Sequence, residues 1–163
     1  MNTPLQSSSI VRAAEGIMAD LGDHRSLVKV TAQDSNGAIL FLHCEADFQG
    51  GVSAHIHRRE DEIFYILSGR ISFLVGDEVA EAGPGDTVFG PRNVVHSWRC
   101  VSPEGARLLI TFTPGDNFQA YGFAMLENGI APLTAMAAPA LAEKFVAVAA
   151  QHGIEMLPPG DIK

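Results

Sequence analysis

Between Gly50 and Thr113 a turn signal interrupts the chain every few residues, and this punctuation limits the possible folds more than any other feature. Gly50-Gly51, Ser68-Gly69, Gly76-Asp77, Gly83-Pro84-Gly85-Asp86 and Gly90-Pro91-Arg92-Asn93 separate short apolar runs. Those runs are Ile63-Phe64-Tyr65-Ile66-Leu67, Ile71-Ser72-Phe73-Leu74-Val75, Thr87-Val88-Phe89, Val94 to Val101 and Ala106 to Thr113. Segments so short and so rich in β-branched and aromatic residues predict strands, and their regular spacing predicts a sandwich or barrel. No internal repeat is visible, so one barrel is expected.

The flanks fit around this centre. Residues 1–8 are polar and read as a flexible end. Gly16 and Gly22 break the stretch from Ile10 to Leu21, which favours short strands around a turn over a helix. Leu27 to Ala32 is a strand, Asp34-Ser35-Asn36-Gly37 a turn, and Ala38 to Phe48 a long strand. The barrel is therefore assigned to residues 9–125 and a C-terminal extension to residues 126–163. Within the extension, Pro139 to His152 predicts a helix that Gly153 stops. Its Leu141, Phe145 and Val148 recur at helical spacing, as a stripe packed on the barrel or on a partner subunit, or as a lid over the barrel mouth.

A chain of 163 residues with 47% hydrophobic content can bury one core without staples. Its formal charge of −8 argues against a nucleic-acid partner, which needs a basic surface. No apolar run has the length of a bilayer span, and the first residues lack the pattern of a signal peptide. Cys44 and Cys100 form no disulfide framework, so a reduced, cytoplasmic setting is expected.

The chemistry concentrates in a few residues. His55 and His57 are two apart on a strand and leave it on one face. Glu62 follows the polar break Arg58-Arg59-Glu60-Asp61, and His96 comes from a later strand. Imidazole and carboxylate are donors for Zn, Fe, Ni, Cu, Co or Mn. A His-x-His pair alone is more often two surface or hydrogen-bonded imidazoles than a metal site.

The wider pattern resembles the cupin superfamily. Gly51 leads into His55-Ile56-His57; four residues separate His57 from Glu62, and six separate Glu62 from Gly69. In a second motif, Gly85 is followed after five residues by Pro91-Arg92-Asn93, and two residues later by His96. Fifteen residues between Gly69 and Gly85 is the short intermotif spacing of small microbial cupins. The chain departs from the pattern in three places. The leading glycine is shifted to Gly50 and Gly51, Asn93 replaces a glycine, and Cys100 replaces an asparagine. Asparagine tolerates positive φ best among non-glycine residues, so the turn at Asn93 is expected to survive. Cys100 reads as a buried structural thiol.

The resemblance implies an all-β double-stranded β-helix, a jelly-roll barrel with a short C-terminal helix, commonly a homodimer. It implies one divalent transition metal held by His55, His57, Glu62 and His96. Phe64 and Trp98, each two residues from a ligand, are placed with Phe41 and Phe73 on the walls of a substrate pocket, to which Phe89 and Met125 could add. Glu60 reads as a solvated corner, His24 and His152 as surface residues, and His43 as outward or hydrogen-bonded. The segments Arg58 to Tyr65 and Ala82 to Asp86 resemble those of quercetin 2,3-dioxygenase-like cupins. That likeness implies a dioxygenase for a small aromatic or enediol substrate, with Glu62 both ligand and base. A non-redox isomerase or lyase, and a non-catalytic ligand-binding module, are the alternatives.

Overall fold

The computed structural model describes residues 9–130 and 139–157. The reading of residues 1–8 as a flexible end lies outside them, as do parts of the C-terminal extension. Among the described residues, eleven strands and two helices run in the order β1 (Ile17–Asp20), β2 (His24–Val30), β3 (Leu40–Ala46), β4 (Gly51–His57), β5 (Asp61–Ser68), β6 (Ile71–Val75), β7 (Glu78–Ala82), β8 (Thr87–Gly90), β9 (His96–Cys100), β10 (Ala106–Thr113), α1 (Asp116–Glu127), α2 (Pro139–Gln151) and β11 (Ile154–Met156). A six-stranded sheet has the order β1-β2-β3-β10-β5-β8, and a five-stranded sheet the order β11-β4-β9-β6-β7. Every pairing is antiparallel. From β3 to β10 the chain passes back and forth between the sheets, which wraps it into the expected double-stranded β-helix.

Alternation along the strands sets the core. Leu40, Leu42, Cys44 and Ala46 of β3 are buried, as are Ala106, Leu108, Ile110 and Phe112 of β10. They meet Phe64 and Ile66 from β5, Ile71 and Phe73 from β6, and Trp98 and Cys100 from β9 in one cluster between the sheets. Gly69, the motif glycine between β5 and β6, has φ 77°, and a Cβ there would lie 2.5 Å from the Gly105 carbonyl oxygen. Only glycine meets both demands. Asn93 does adopt positive φ, 67°, so the turn survives its substitution for glycine.

The C-terminal region has more structure than the sequence reading gave it. α1 begins within the stretch assigned to the barrel and was not foreseen, because Gly122 stands in the middle of its weak apolar pattern. Leu141, Phe145 and Val148 of α2 pack within the chain, on Tyr121 and Met125 of α1 and Met156 of β11. β11 then adds itself to the open edge of β4, with Ile154 opposite His57 and Met156 opposite His55.

Candidate metal centre

The centre is assembled from three strands. β4 and β9 are neighbours, and His55 stands directly opposite His96. Between Val52 and His55 the register shifts by one residue, a bulge in β4. It lets Val52 pack on the core while His55 and His57 are both buried behind it, in a run where strict alternation would have turned one set outward. Gly51 makes the close approach beside the bulge possible, since a Cβ there would lie 2.1 Å from the Trp98 carbonyl oxygen. Glu62 comes from β5 in the opposite sheet, between Phe112 of β10 and Gly90 of β8.

These residues converge. One donor atom from each of His55, His57, Glu62 and His96 lies within 4.8 Å of every other, and all four side chains are buried. The His96 Nε2 is 2.9 Å from Glu62 Oε2, the His57 Nε2 is 3.5 Å from it, and the two Nε2 atoms of His55 and His57 are 3.1 Å apart. The other nitrogen of each ring has an oxygen partner. His55 Nδ1 donates to the Ser53 carbonyl at 2.7 Å, His96 Nδ1 to the Val94 carbonyl at 3.0 Å, and His57 Nδ1 to Glu60 Oε2 at 3.2 Å. Those oxygens only accept, so each neutral ring carries its proton on Nδ1 and turns the Nε2 lone pair inward. Three lone pairs and a carboxylate oxygen therefore face one another in a buried space. This donor set is unfavourable alone, fits one divalent cation, and is consistent with a single metal site.

Without an ion, the buried charges act in opposite directions on His55 and His96. Burial, with the neighbouring His96 and His57, holds His55 well below the usual imidazole range, so its ring stays neutral. His96 is also penalised by burial, but its bond to the Glu62 carboxylate and the charge there push it upward overall.

The remaining expectations divide. Phe64, Phe73 and Trp98 point inward and are buried, but in the packed core: Phe64 lies 5.0 Å from Phe73, and Trp98 meets His24 edge-on at 5.3 Å. Phe41 does not join them. Its neighbours Leu40 and Leu42 face the core, so the two-residue period turns Phe41 to the outer side of the sheet, into a groove it shares with His43, Leu27 and Leu109. Phe89 is 54% exposed on the same outer side, and Met125 belongs to the cluster between the helices. The rings that do approach the centre are Phe112 and Phe118, centred 5.7 and 5.4 Å from His57 and stacked on each other at 3.6 Å. Phe118 could have been found from the spacing of Phe118, Tyr121 and Met125, which share one face of a helix.

Two polar residues were misplaced by the sequence reading. Glu60 is no solvated corner: it is wholly buried and bonded to His57. His24 is no surface residue: it is buried against Trp98 and held by Asp23 at 2.8 Å. Charged and polar residues enter an interior when partners wait there, and those partners come from distant parts of the chain. Cys100 is buried within the core, as expected of a structural thiol. His152 follows the end of α2 and is partly buried near Tyr121.

Residues 44–112 match the family described as Cupin domain. An uncharacterised protein of Streptomyces coelicolor is 33% identical over 58 residues, 36% of this chain and 54% of that protein. A quercetin 2,3-dioxygenase of Bacillus subtilis is 24% identical over 90 residues, 55% of this chain and 27% of that enzyme. The chain thus aligns with about half of one curated relative and about a quarter of the other. A crystal structure of an RmlC-like cupin from Shewanella frigidimarina superposes with a TM-score of 0.58 at 23% identity, over 67% of this chain and 93% of that one.

Proposed function

We propose that the chain, whose residues 44–112 match the Cupin domain family, binds one divalent transition-metal ion and acts as a dioxygenase on a small planar aromatic or enediol substrate. The observation that carries the metal reading is the inward donor set, His55, His57, Glu62 and His96, with every histidine Nδ1 already engaged. The likeness to quercetin 2,3-dioxygenase supports the reaction class.

When bound, such an ion supplies Lewis acidity to a chelating substrate and a path for electrons to dioxygen. The rest falls to the chain's own side chains. The three imidazoles fix the centre and leave it open positions, since ions of this kind take five or six ligands. Glu62 is the base in reach: its carboxylate lies at the centre and accepts the proton of a substrate hydroxyl. Phe112 and Phe118, stacked beside His57, offer a flat apolar face to a planar ring and keep water from it.

The test is oxygen consumption by protein loaded in turn with Fe, Ni, Mn or Co, over a panel of flavonols and enediols. The expected result is O2 uptake matching substrate loss, abolished by a chelator and by His96→Ala. No uptake with any metal overturns the dioxygenase reading. Turnover of a Zn-loaded protein under nitrogen would point to a non-redox isomerase or lyase, and tight substrate binding without turnover to a binding module.

A further inference from the structure

The metal ligands do not exhaust the buried charge at this end of the barrel. Glu60 is 0% exposed, and Glu62 is 3% exposed. Among the described residues, the ion-pair partners of both carboxylates are histidines: His57 for Glu60, and His55, His57 and His96 for Glu62. No arginine or lysine reaches either one at ion-pair distance among these residues. Two buried carboxylates without a permanent cation are costly. A single dication between the imidazoles would neutralise both.

Glu60 is also fixed in place. One carboxylate oxygen, Oε2, accepts from His57 Nδ1 at 3.2 Å, and the other, Oε1, accepts from the Asn117 side-chain amide. Asn117 sits in the first turn of α1. Its amide also donates to the His152 carbonyl at 2.8 Å, and its Oδ1 accepts from Arg59 at 2.6 Å. The sequence Arg58-Arg59-Glu60-Asp61 thus connects, through one asparagine, the metal-facing ring of His57 with both C-terminal helices.

Resting on the metal reading above, we propose that Glu60 is a positioning residue of the centre. It holds His57 with Nε2 inward and supplies the second negative charge that a dication neutralises, while Asn117 holds Glu60. Carboxylates behind metal-binding histidines raise the basicity of the ring and fix its orientation. Here the carboxylate lies only three residues along the chain from its histidine, on the corner between β4 and β5.

Glu60→Gln keeps the size and an acceptor for His57 but removes the charge, and Glu60→Ala removes both. Affinity for Co2+ is measured by competition with a chelator, together with the visible spectrum of the bound ion and the melting temperature with and without metal. The expected result is affinity weaker by about 10- to 100-fold, the range for residues behind a metal ligand, and a changed Co2+ spectrum. Asn117→Ala should shift both in the same direction by less. Metal-free Glu60→Gln should melt at or above the wild-type temperature, because an uncompensated buried charge is gone. A merely structural Glu60 would instead lower the melting temperature equally in both forms, and that result overturns the proposal, as does unchanged Co2+ affinity. If Glu60→Ala does not fold, Glu60→Gln decides. A wild-type chain that takes up no Co2+ overturns the metal reading itself, and this proposal with it.

Discussion

At the scale of the residue, what matters most is which atom each side chain turns inward. An imidazole is a ligand only through a nitrogen without a proton, and the Ser53 carbonyl, the Val94 carbonyl and Glu60 settle that for the three rings. The same logic explains the inert cysteines. Cys44 is buried, and desolvation pushes its thiol up to about 12, with Ser26 bonded to it and Glu62 nearby in charge. At neutral pH it remains a thiol, so a thiol-reactive dye is expected to leave Cys44 unlabelled in the native protein and to label it after unfolding. Rapid labelling of the folded chain would contradict this packing. Asn93 is a smaller case of the same kind. Its positive φ lets its backbone N–H reach the His57 carbonyl at 2.7 Å and tie the second motif to the first.

At the scale of the element, the bulge in β4 and the pairing of β11 decide how His55 and His57 are presented. β4 would be an edge strand without β11, and edge strands are held on one side only. Ile154 is buried opposite His57 and is the anchor of that pairing. Ile154→Ala is expected to cost roughly 2–5 kcal/mol, as buried large-to-small substitutions do, and to hasten loss of the ion. Urea unfolding and the rate of metal release to a chelator read the two effects separately. Unaltered release in a destabilised variant would mean that β11 supports the fold but not the ligand.

At the scale of the whole molecule, the outer face of the six-stranded sheet carries large apolar side chains beside the charged Arg25, Glu45 and Arg107. Phe89 is 54% exposed and Tyr65 43% exposed, and Tyr65 continues across the sheet through Leu109, His43 and Leu27 to Met18. We propose that this row is an interaction face, since exposed apolar side chains gathered on one face favour being covered. A second copy of the chain is the expected occupant, following the dimer that the cupin resemblance implies. Sedimentation should therefore give twice the 17.4 kDa of one chain, falling to the single-chain value in Phe89→Asp. A wild-type protein that sediments as one chain at high concentration would remove the dimer. Among the described residues, no helix is long and apolar enough to cross a membrane.

The sequence by itself determined most of the strands (β7 and β11 excepted), the turns and the four donors, because those depend on local signals: a two-residue period, glycines where φ must be positive, and motif spacing. The turn at Asn93 and the thiol at Cys100 were legible for the same reason. Phe41 was placed on the wrong side because a strand in isolation has two faces and nothing local says which one meets the core. Tertiary structure alone decided that β3 would lie between β2 and β10, that α1 would bring Phe118 and Asn117 to His57, and that Glu60 would be buried. Burial of a charge depends on partners that arrive from as far along the chain as Asn117, and no short stretch of sequence carries that information.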